Sequence, residues 1–197
     1  MSGSAGPVSA SAEQAGQAGL RVAIHQPNYA PWCGFFAKLK AADVLVLLDD
    51  AQMPRGRSYV SRAQVLGPDG PMWLTVPTHH AAHERILDVR LADAGFGRRH
   101  LATLRARYGR SPFFAELFPL LEPLYDSAGP WLAEFNERLL HALLGYLGLQ
   151  RPVVRASTLG CAGRGDERLV ALVQACCFRF VPSAMLPNSR HSSGPSV

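Results

Sequence analysis

The chain has 197 residues, of which 48% are hydrophobic and 18% are charged, and its formal net charge is +5. This composition is typical of one globular domain that is long enough for a sizeable core. No apolar run approaches the roughly 20 residues that a membrane-spanning helix needs. Arginine carries most of the positive charge, so bidentate contacts to phosphates and carboxylates are available.

The cysteines and the N-terminal residues bear on the location of the protein. The four cysteines form no CxxC pair, which argues against a zinc site and favours a reduced, cytoplasmic setting. Residues 1–19 are small and polar and lack the basic and apolar regions of a signal peptide. We therefore expect these residues to form a disordered leader.

The first folded segments predict the beginning of an α/β unit. Leu20–Ile24 and Asp43–Leu48 are short apolar runs typical of buried strands, and Gly34–Ala42 between them has helical character. Pro27 and Pro31 prevent the first strand from continuing. A strand, a helix and a second strand in this order favour a parallel sheet.

The following segments predict an inserted β-hairpin. Ser58–Leu66 and Pro71–Pro77 flank the turn sequence GPDG, and Ile86–Leu91 alternates as a further short strand would.

The rest of the chain is mainly helical in pattern. Apolar residues recur at three- and four-residue steps, and Gly148 occupies a position where a helix commonly ends. The predicted segments are Phe96–Tyr108, a helix from Ser111 that Pro119 divides, Trp131–Leu147, the strand Pro152–Ala156 and the helix Asp166–Ala175. The fold class is thus α/β, with a mostly parallel sheet, an inserted hairpin and a helical half. Residues 176–197 lack a clean period and predict a disordered tail.

Polar side chains follow the first predicted strand. His25, Gln26 and Asn28 lie where ligands bind in open α/β sheets, beyond the carboxyl ends of the strands. Histidine could act there as an acid, a base or a donor to phosphate. The alternative is a histidine that caps a tight turn.

Two acids follow the second predicted strand. Asp49 and Asp50 could bind Mg²⁺, a sugar hydroxyl or an amine, and no other metal site is predicted. The alternative is a pair of solvated loop carboxylates.

The segment MPRGRSYVSR is rich in arginine and is predicted to lie beside these strand ends. Arg57 and Arg62 could hold a phosphate, and Tyr59 could stack on a base or a sugar. The alternative is a solvated basic edge strand.

The aromatic residues of the opening segment favour a structural role. For Trp32, Phe35 and Phe36, packing in the core beside the first helix is favoured over a stacking platform. The chain has no Walker A, GxGxxG, GxSxG or HExxH motif.

Four stretches together resemble the WbqC-like family: IHQPNYAPWCGFFAKLKAADVLVLLDDAQ, PRGRSYVSR, WLTVP and SPFFAELFPLLEPLY. The resemblance covers about Val22 to Ala175. Its characteristic positions are occupied here by Gln26, Pro27, Tyr29, Pro31, Gly34, Asp49, Asp50, Gln52 and Arg62. The family's setting in bacterial surface-polysaccharide (such as O-antigen) and natural-product biosynthesis implies work on amino sugars or nucleotide sugars.

The chain departs from the family pattern at two places. Ser61-Arg62-Ala63 stands where the family usually has Asn-Arg-Asn, which would alter binding if those amides contact a ligand. Beyond Ala175 the resemblance is expected to stop, as it would in a truncated or replaced C-terminal part.

The expected function is a transferase acting on an amino sugar or nucleotide sugar, such as transfer of a glycyl or other acyl group to a sugar amine. His25, Asp49 and Asp50 are the expected catalytic residues. The expected substrate-binding residues are Gln26, Asn28, Tyr29, Gln52, Arg57 and Arg62. Two alternative interpretations of the function remain. One is a basic binding module for RNA or an acidic partner, based on the arginines of Arg98–Arg110. The other is a nonfunctional truncated copy.

Overall fold

The computed structural model describes residues 19–56, 58–93 and 95–180. Its strands are β1 (Val22–His25), β2 (Val44–Leu47), β3 (Arg62–Leu66), β4 (Pro71–Thr75), β5 (Thr78–His79), β6 (Arg90–Leu91) and β7 (Val153–Arg155). Its α-helices are α1 (Cys33–Lys40), α2 (Phe96–Tyr108), α3 (Phe114–Asp126), α4 (Leu132–Tyr146) and α5 (Gly165–Phe180). Two short 3₁₀ helices cover Ile86–Asp88 and Ala156–Thr158.

A parallel sheet with the order β1–β2–β7 confirms the predicted α/β class. All four residues of β2 are buried, as the central strand of a sheet covered on both faces requires. Leu45 and Leu47 point toward α1 and α4, whereas Val44 and Val46 point toward α5. The strands therefore form the middle layer between helices on both sides.

A second core lies outside this sheet, in the segment between β2 and β7. The antiparallel hairpin β3–β4 packs there against α2, α3 and α4, around the fully buried rings of Phe96 and Phe135. The predicted inserted hairpin and helical half correspond to this unit. Tyr29, from the loop after β1, also belongs to this core, so the loop joins the two halves of the protein.

The segment predicted as a strand at Ile86–Leu91 is only partly one. Ile86–Asp88 forms a 3₁₀ helix, and only Arg90–Leu91 pairs as a strand, with β5. Ile86 and Val89 are both fully buried, and their spacing of three places them on one face of the 3₁₀ turn. The strand prediction is therefore wrong for Ile86–Asp88, where the buried residues recur at a step of three and not of two.

Two helices are longer than predicted. Helix α3 continues through Pro119, although proline lacks the N–H for one helical hydrogen bond, and it buries Phe118 and Tyr125 in the second core. Helix α5 continues beyond Ala175 to Phe180, and Cys176 is fully buried against the sheet. The predicted boundary of the folded domain at Ala175 therefore differs from the structure. Residues 1–18 of the predicted leader and residues 181–197 of the predicted tail lie outside the described residues.

Within the described ranges, no helix combines the length and the apolar character needed to cross a membrane.

Candidate functional site

A cleft of about 450 Å³ opens at the loop that follows β1. Its lining residues are Asn28, Tyr29, Ala30, Pro31, Trp32, Tyr59, Ala63 and Gln64. Most of them come from the sequence NYAPW, and the others come from the approach to β3 and from β3 itself. We call this space the opening-motif cleft. Its size is that of a cleft that takes a small molecule.

Buried hydrogen bonds fix the two sides of the cleft relative to each other. The side-chain amide of Asn136, on α4, donates to the carbonyl oxygens of Pro27 and Val60, each at 2.8 Å. The backbone N–H of Tyr29 donates to the carbonyl of Tyr59 at 2.9 Å. Asn136 is only 1% exposed, so water does not compete for its bonds.

The backbone of the loop is strained at one point. Ala30 has a φ of +41°, a region that residues with a Cβ seldom adopt. Such strain persists only where the surroundings hold it, and it is concentrated at functional sites. Ala30 lines the cleft, between the buried Tyr29 and the exposed Trp32.

Tyr29, which lines the cleft, is hydrogen-bonded to a row of buried polar side chains. His100 Nε2 lies 3.2 Å from the carbonyl oxygen of Thr75, which can only accept, so Nε2 carries the proton and Nδ1 accepts. The hydroxyl of Tyr29 therefore donates to His100 Nδ1 at 2.9 Å, and the hydroxyl of Tyr125 donates to Tyr29 at 2.6 Å. Burial lowers the pKa of His100 to about 4 and raises the pKa of Tyr125 to about 12. All three groups are therefore neutral near pH 7.

Exposed aromatic rings form one wall of the cleft. Trp32 is 52% exposed and Tyr59 is 50% exposed, and their ring centroids are 5.7 Å apart. The Tyr59 ring lies at the same distance from Trp73, and the guanidinium of Arg62 covers the Trp73 ring at 4.0 Å. We call Trp32, Tyr59 and Trp73 the aromatic wall; Trp32 and Tyr59 line the cleft, and Trp73 adjoins Tyr59 outside the lining. The predicted core packing is right for Phe35, which is buried, and wrong for Trp32.

His25 lies at the carboxyl end of β1, behind this wall. Its Nδ1–H donates to the carbonyl of Gln26 at 3.0 Å, and its ring meets Trp32 and Phe35 edge to face. Nδ1 is thus the protonated nitrogen and Nε2 holds the lone pair. Burial lowers the pKa of His25, which keeps the imidazole neutral and basic at Nε2 near pH 7.

The two predicted acids are engaged in contacts within the protein. Asp49 is 3% exposed and accepts from the backbone N–H of Ser157 at 3.0 Å and from its hydroxyl at 2.5 Å. Asp50 pairs with Arg168 of α5. Within the described residues, no hydrogen bond or ion pair joins His25 to either acid. No group of three or more metal-ligating side chains is found in the described ranges either, so nothing in the geometry adds to the Mg²⁺ interpretation.

A second, smaller cleft of about 250 Å³ lies at the carboxyl ends of β2 and β7. Its charged lining residues are Asp49, Asp88, Glu134 and Arg155. Arg155 forms an ion pair at 2.6 Å with Glu137 of α4. Carboxylates therefore outnumber guanidinium groups in this lining, and its one arginine is already paired.

The structure brings together only part of the predicted site. Asn28 and Tyr29 line the opening-motif cleft, whereas His25, Gln26 and Arg62 are outside its lining. Arg62 lies over the ring of Trp73, and His25 adjoins Trp32. Gln52 is exposed and makes a backbone bridge with Arg85 away from this lining, and Arg57 lies outside the described residues.

Sequence reasoning missed Gln64 and Trp73. The alternation of side chains along the two strands of the hairpin could have revealed them. Gln64 on β3 lies directly opposite Trp73 on β4, so the two side chains share one face of the hairpin.

The fold and the cleft define an α/β protein with a ligand-sized cleft beside the first strand of a parallel sheet. The chain belongs to the WbqC-like protein family, which it matches over residues 26–185. The match extends beyond Ala175, so the resemblance does not stop there as expected. The chain is also similar to an uncharacterized protein of Mycobacterium tuberculosis, Rv1507c, with 30% identity over 157 residues, or 78% of this chain and 68% of that protein. No solved structure matches the chain.

Proposed function

We propose that this WbqC-like protein binds a phosphorylated amino sugar or nucleotide sugar in the opening-motif cleft and transfers a group to it. The observation that carries the proposal is the cleft itself, which combines an aromatic wall with the polar groups of Asn28 and Gln64. Apolar surface with a few fixed polar groups is the usual composition of a small-molecule site. The resemblance to proteins of surface-polysaccharide and natural-product biosynthesis supports a sugar substrate, and the proposal includes a cytoplasmic location.

The roles of the residues follow from their contacts. Asn28 and Gln64 donate and accept hydrogen bonds to sugar hydroxyls, and Arg62 binds phosphate, because no protein acceptor for its guanidinium occurs among the described residues. In the proposed transfer the sugar amine attacks the carbonyl carbon of an acyl or aminoacyl donor, and the bond from that carbon to the donor's leaving group breaks. His25, which adjoins Trp32 behind the lining of the cleft, takes the proton of the amine at Nε2 and passes it to the leaving group. The roles predicted for Gln26, Gln52 and Arg57 stay predictions.

Asp49 and Asp50 are given no catalytic step in this proposal. The oxygens of Asp49 already accept two hydrogen bonds from Ser157, and the charge of Asp50 is balanced by Arg168. In the proposal they hold the ends of the strands in place.

The rival interpretation as a basic binding module has weaker support. It depends on the arginines of α2, yet Arg99 pairs with Asp93 and Arg105 pairs with Glu122. These pairs reduce the positive charge that the helix presents to an RNA or an acidic partner. The geometry therefore favours the small-molecule site.

Calorimetric titration with UDP-glucosamine and with glucosamine 1-phosphate tests the proposal. Gln64→Ala removes one hydrogen bond, worth about 1 kcal/mol, so it should weaken binding roughly fivefold. Gln150→Ala, an exposed amide far from the cleft lining, is the matched control and should leave affinity unchanged. If the folded wild-type protein binds neither compound at millimolar concentration, the proposed function is wrong.

A further inference from the structure

We propose that the aromatic wall is a stacking subsite for a nucleobase, so that the ligand is a nucleotide-linked sugar rather than a free or singly phosphorylated one. This inference rests on the proposed function and specifies the substrate class of the same cleft.

The exposure of the wall is the first argument. Trp32 and Tyr59 each leave about half of their surface open to water, although aromatic side chains normally bury most of their area. The two rings are neighbours in one cleft, and a contiguous exposed apolar patch of this kind marks a binding surface. Every nucleobase offers a flat apolar face to such a surface.

The shape of the wall is the second argument. The plane of Tyr59 is tilted by 46° from that of Trp32 and by 58° from that of Trp73. The rings therefore do not stack on one another. They form a curved surface whose open rings are Trp32 and Tyr59, while Arg62 covers Trp73. The planar ring of a base would lie against the half of Trp32 or Tyr59 that is open to water.

The charge at the end of the wall is the third argument. The guanidinium of Arg62 lies over Trp73, and its Nε is buried without a hydrogen-bond partner among the described residues. No hydrogen bond or ion pair to a described residue engages the rest of this guanidinium either, so its terminal N–H groups are available to phosphate oxygens. A base on Tyr59 and a diphosphate at Arg62 match the order of parts in a nucleotide-linked sugar.

Gly34 sets the position of the Trp32 indole. A Cβ at Gly34 would lie 2.6 Å from Trp32 Nε1, so the indole folds back over the first turn of α1 only because glycine leaves that space. Gly34→Ala would move the indole, whereas alanine is the better residue inside a helix. Gly34 is thus a positioning residue, and this substitution perturbs the wall without removing a core side chain.

Binding measurements with three compounds test the stacking subsite. We expect UDP-glucosamine and UDP to bind at least tenfold more tightly than glucosamine 1-phosphate, measured by calorimetry and by quenching of tryptophan fluorescence. Tyr59→Ala should weaken the binding of UDP-glucosamine about tenfold to hundredfold, because it removes one stacked ring. Tyr59→Phe, which keeps the ring, should restore it.

The controls separate the subsite from general damage. Phe113→Ala removes an aromatic ring that is 64% exposed outside the cleft, and it should leave the affinity for UDP-glucosamine unchanged. Gly34→Ala should weaken UDP-glucosamine binding while the urea midpoint stays the same or rises. This variant keeps the test valid should Tyr59→Ala fail to fold.

Each outcome decides between the two proposals. If glucosamine 1-phosphate binds as tightly as UDP-glucosamine, or if Tyr59→Ala and Gly34→Ala retain full affinity, the stacking subsite is wrong and the proposed function stands. If no compound binds the folded protein, the proposed function fails and the stacking subsite fails with it.

Discussion

Asn136 offers the most direct test of how the opening-motif cleft is held together. Its amide donates to the carbonyls of Pro27 and Val60, which flank the two sides of the cleft. Asn136→Ala leaves two buried carbonyl oxygens without a donor, at about 1–2 kcal/mol each. We expect a loss of roughly 2–4 kcal/mol in the free energy of unfolding, a large part of the 5–15 kcal/mol typical of a domain.

Asn136→Asp is the sharper variant because it keeps the shape of the side chain. An ionised carboxylate would face two carbonyl oxygens with no donor between them, so at pH 7 it should destabilise more than Asn136→Ala. Protonation restores one O–H donor, so the aspartate variant should regain part of the lost stability at lower pH relative to the alanine variant.

Urea denaturation at pH 7 and pH 5 measures both effects. Gln174→Glu, an amide-to-acid change at an exposed helical position, is the matched control and should change stability by less than about 0.5 kcal/mol. An aspartate variant as stable as the wild type at pH 7 would mean that the Asn136 amide does not hold these carbonyls.

Three further predictions follow from other contacts. A Cβ at Gly97 would lie 2.6 Å from a backbone oxygen of α3, so Gly97→Ala should lower the free energy of unfolding by about 1–3 kcal/mol. Gly145 faces open space on α4, so Gly145→Ala should raise the free energy of unfolding by about 0.5–1 kcal/mol. Urea denaturation measures both changes. Because burial lowers the pKa of His100 from 6.5 to about 4, the unfolded chain binds a proton in this interval that the folded chain does not, and stability falls as the pH drops through it. His100→Gln keeps one donor and one acceptor and should remove about 2 kcal/mol of the loss seen between pH 7 and pH 4.5; an identical pH profile would contradict this. Arg168→Met should cost about 2–3 kcal/mol in thermal denaturation by leaving Asp50 unpaired, and Asp50→Asn in the same chain should restore part of it.

The regular elements were predictable from local pattern. The apolar runs predicted β1, β2 and β7, because a strand covered by helices on both faces carries consecutive apolar residues; β2 is buried throughout, and β1 and β7 are partly buried. The spacing of Leu132, Phe135 and Leu139 predicted α4, and Gly148, with a φ of +64°, ends that helix as expected.

Contacts between distant segments were not predictable in the same way. Asp49 was expected to face a ligand, but the hydroxyl that satisfies it belongs to Ser157, 108 residues later in the chain. No local pattern specifies such a partner. The polar Asn136 within the apolar stripe of α4 was a usable signal that sequence reasoning passed over, since a buried amide needs partners.

The bonds of Asn136 have a consequence for how the cleft comes into existence during folding. They connect positions 109 and 76 residues apart, so the chain must close long loops before either side of the cleft is fixed. A partly folded chain that lacks α4 then has no binding surface, and a ligand of the cleft recognises only the native state. The ligand therefore raises the free energy of unfolding, and above Kd this increase grows with the logarithm of the ligand concentration. A rise in melting temperature is accordingly a sound first screen for the compounds that this cleft accepts.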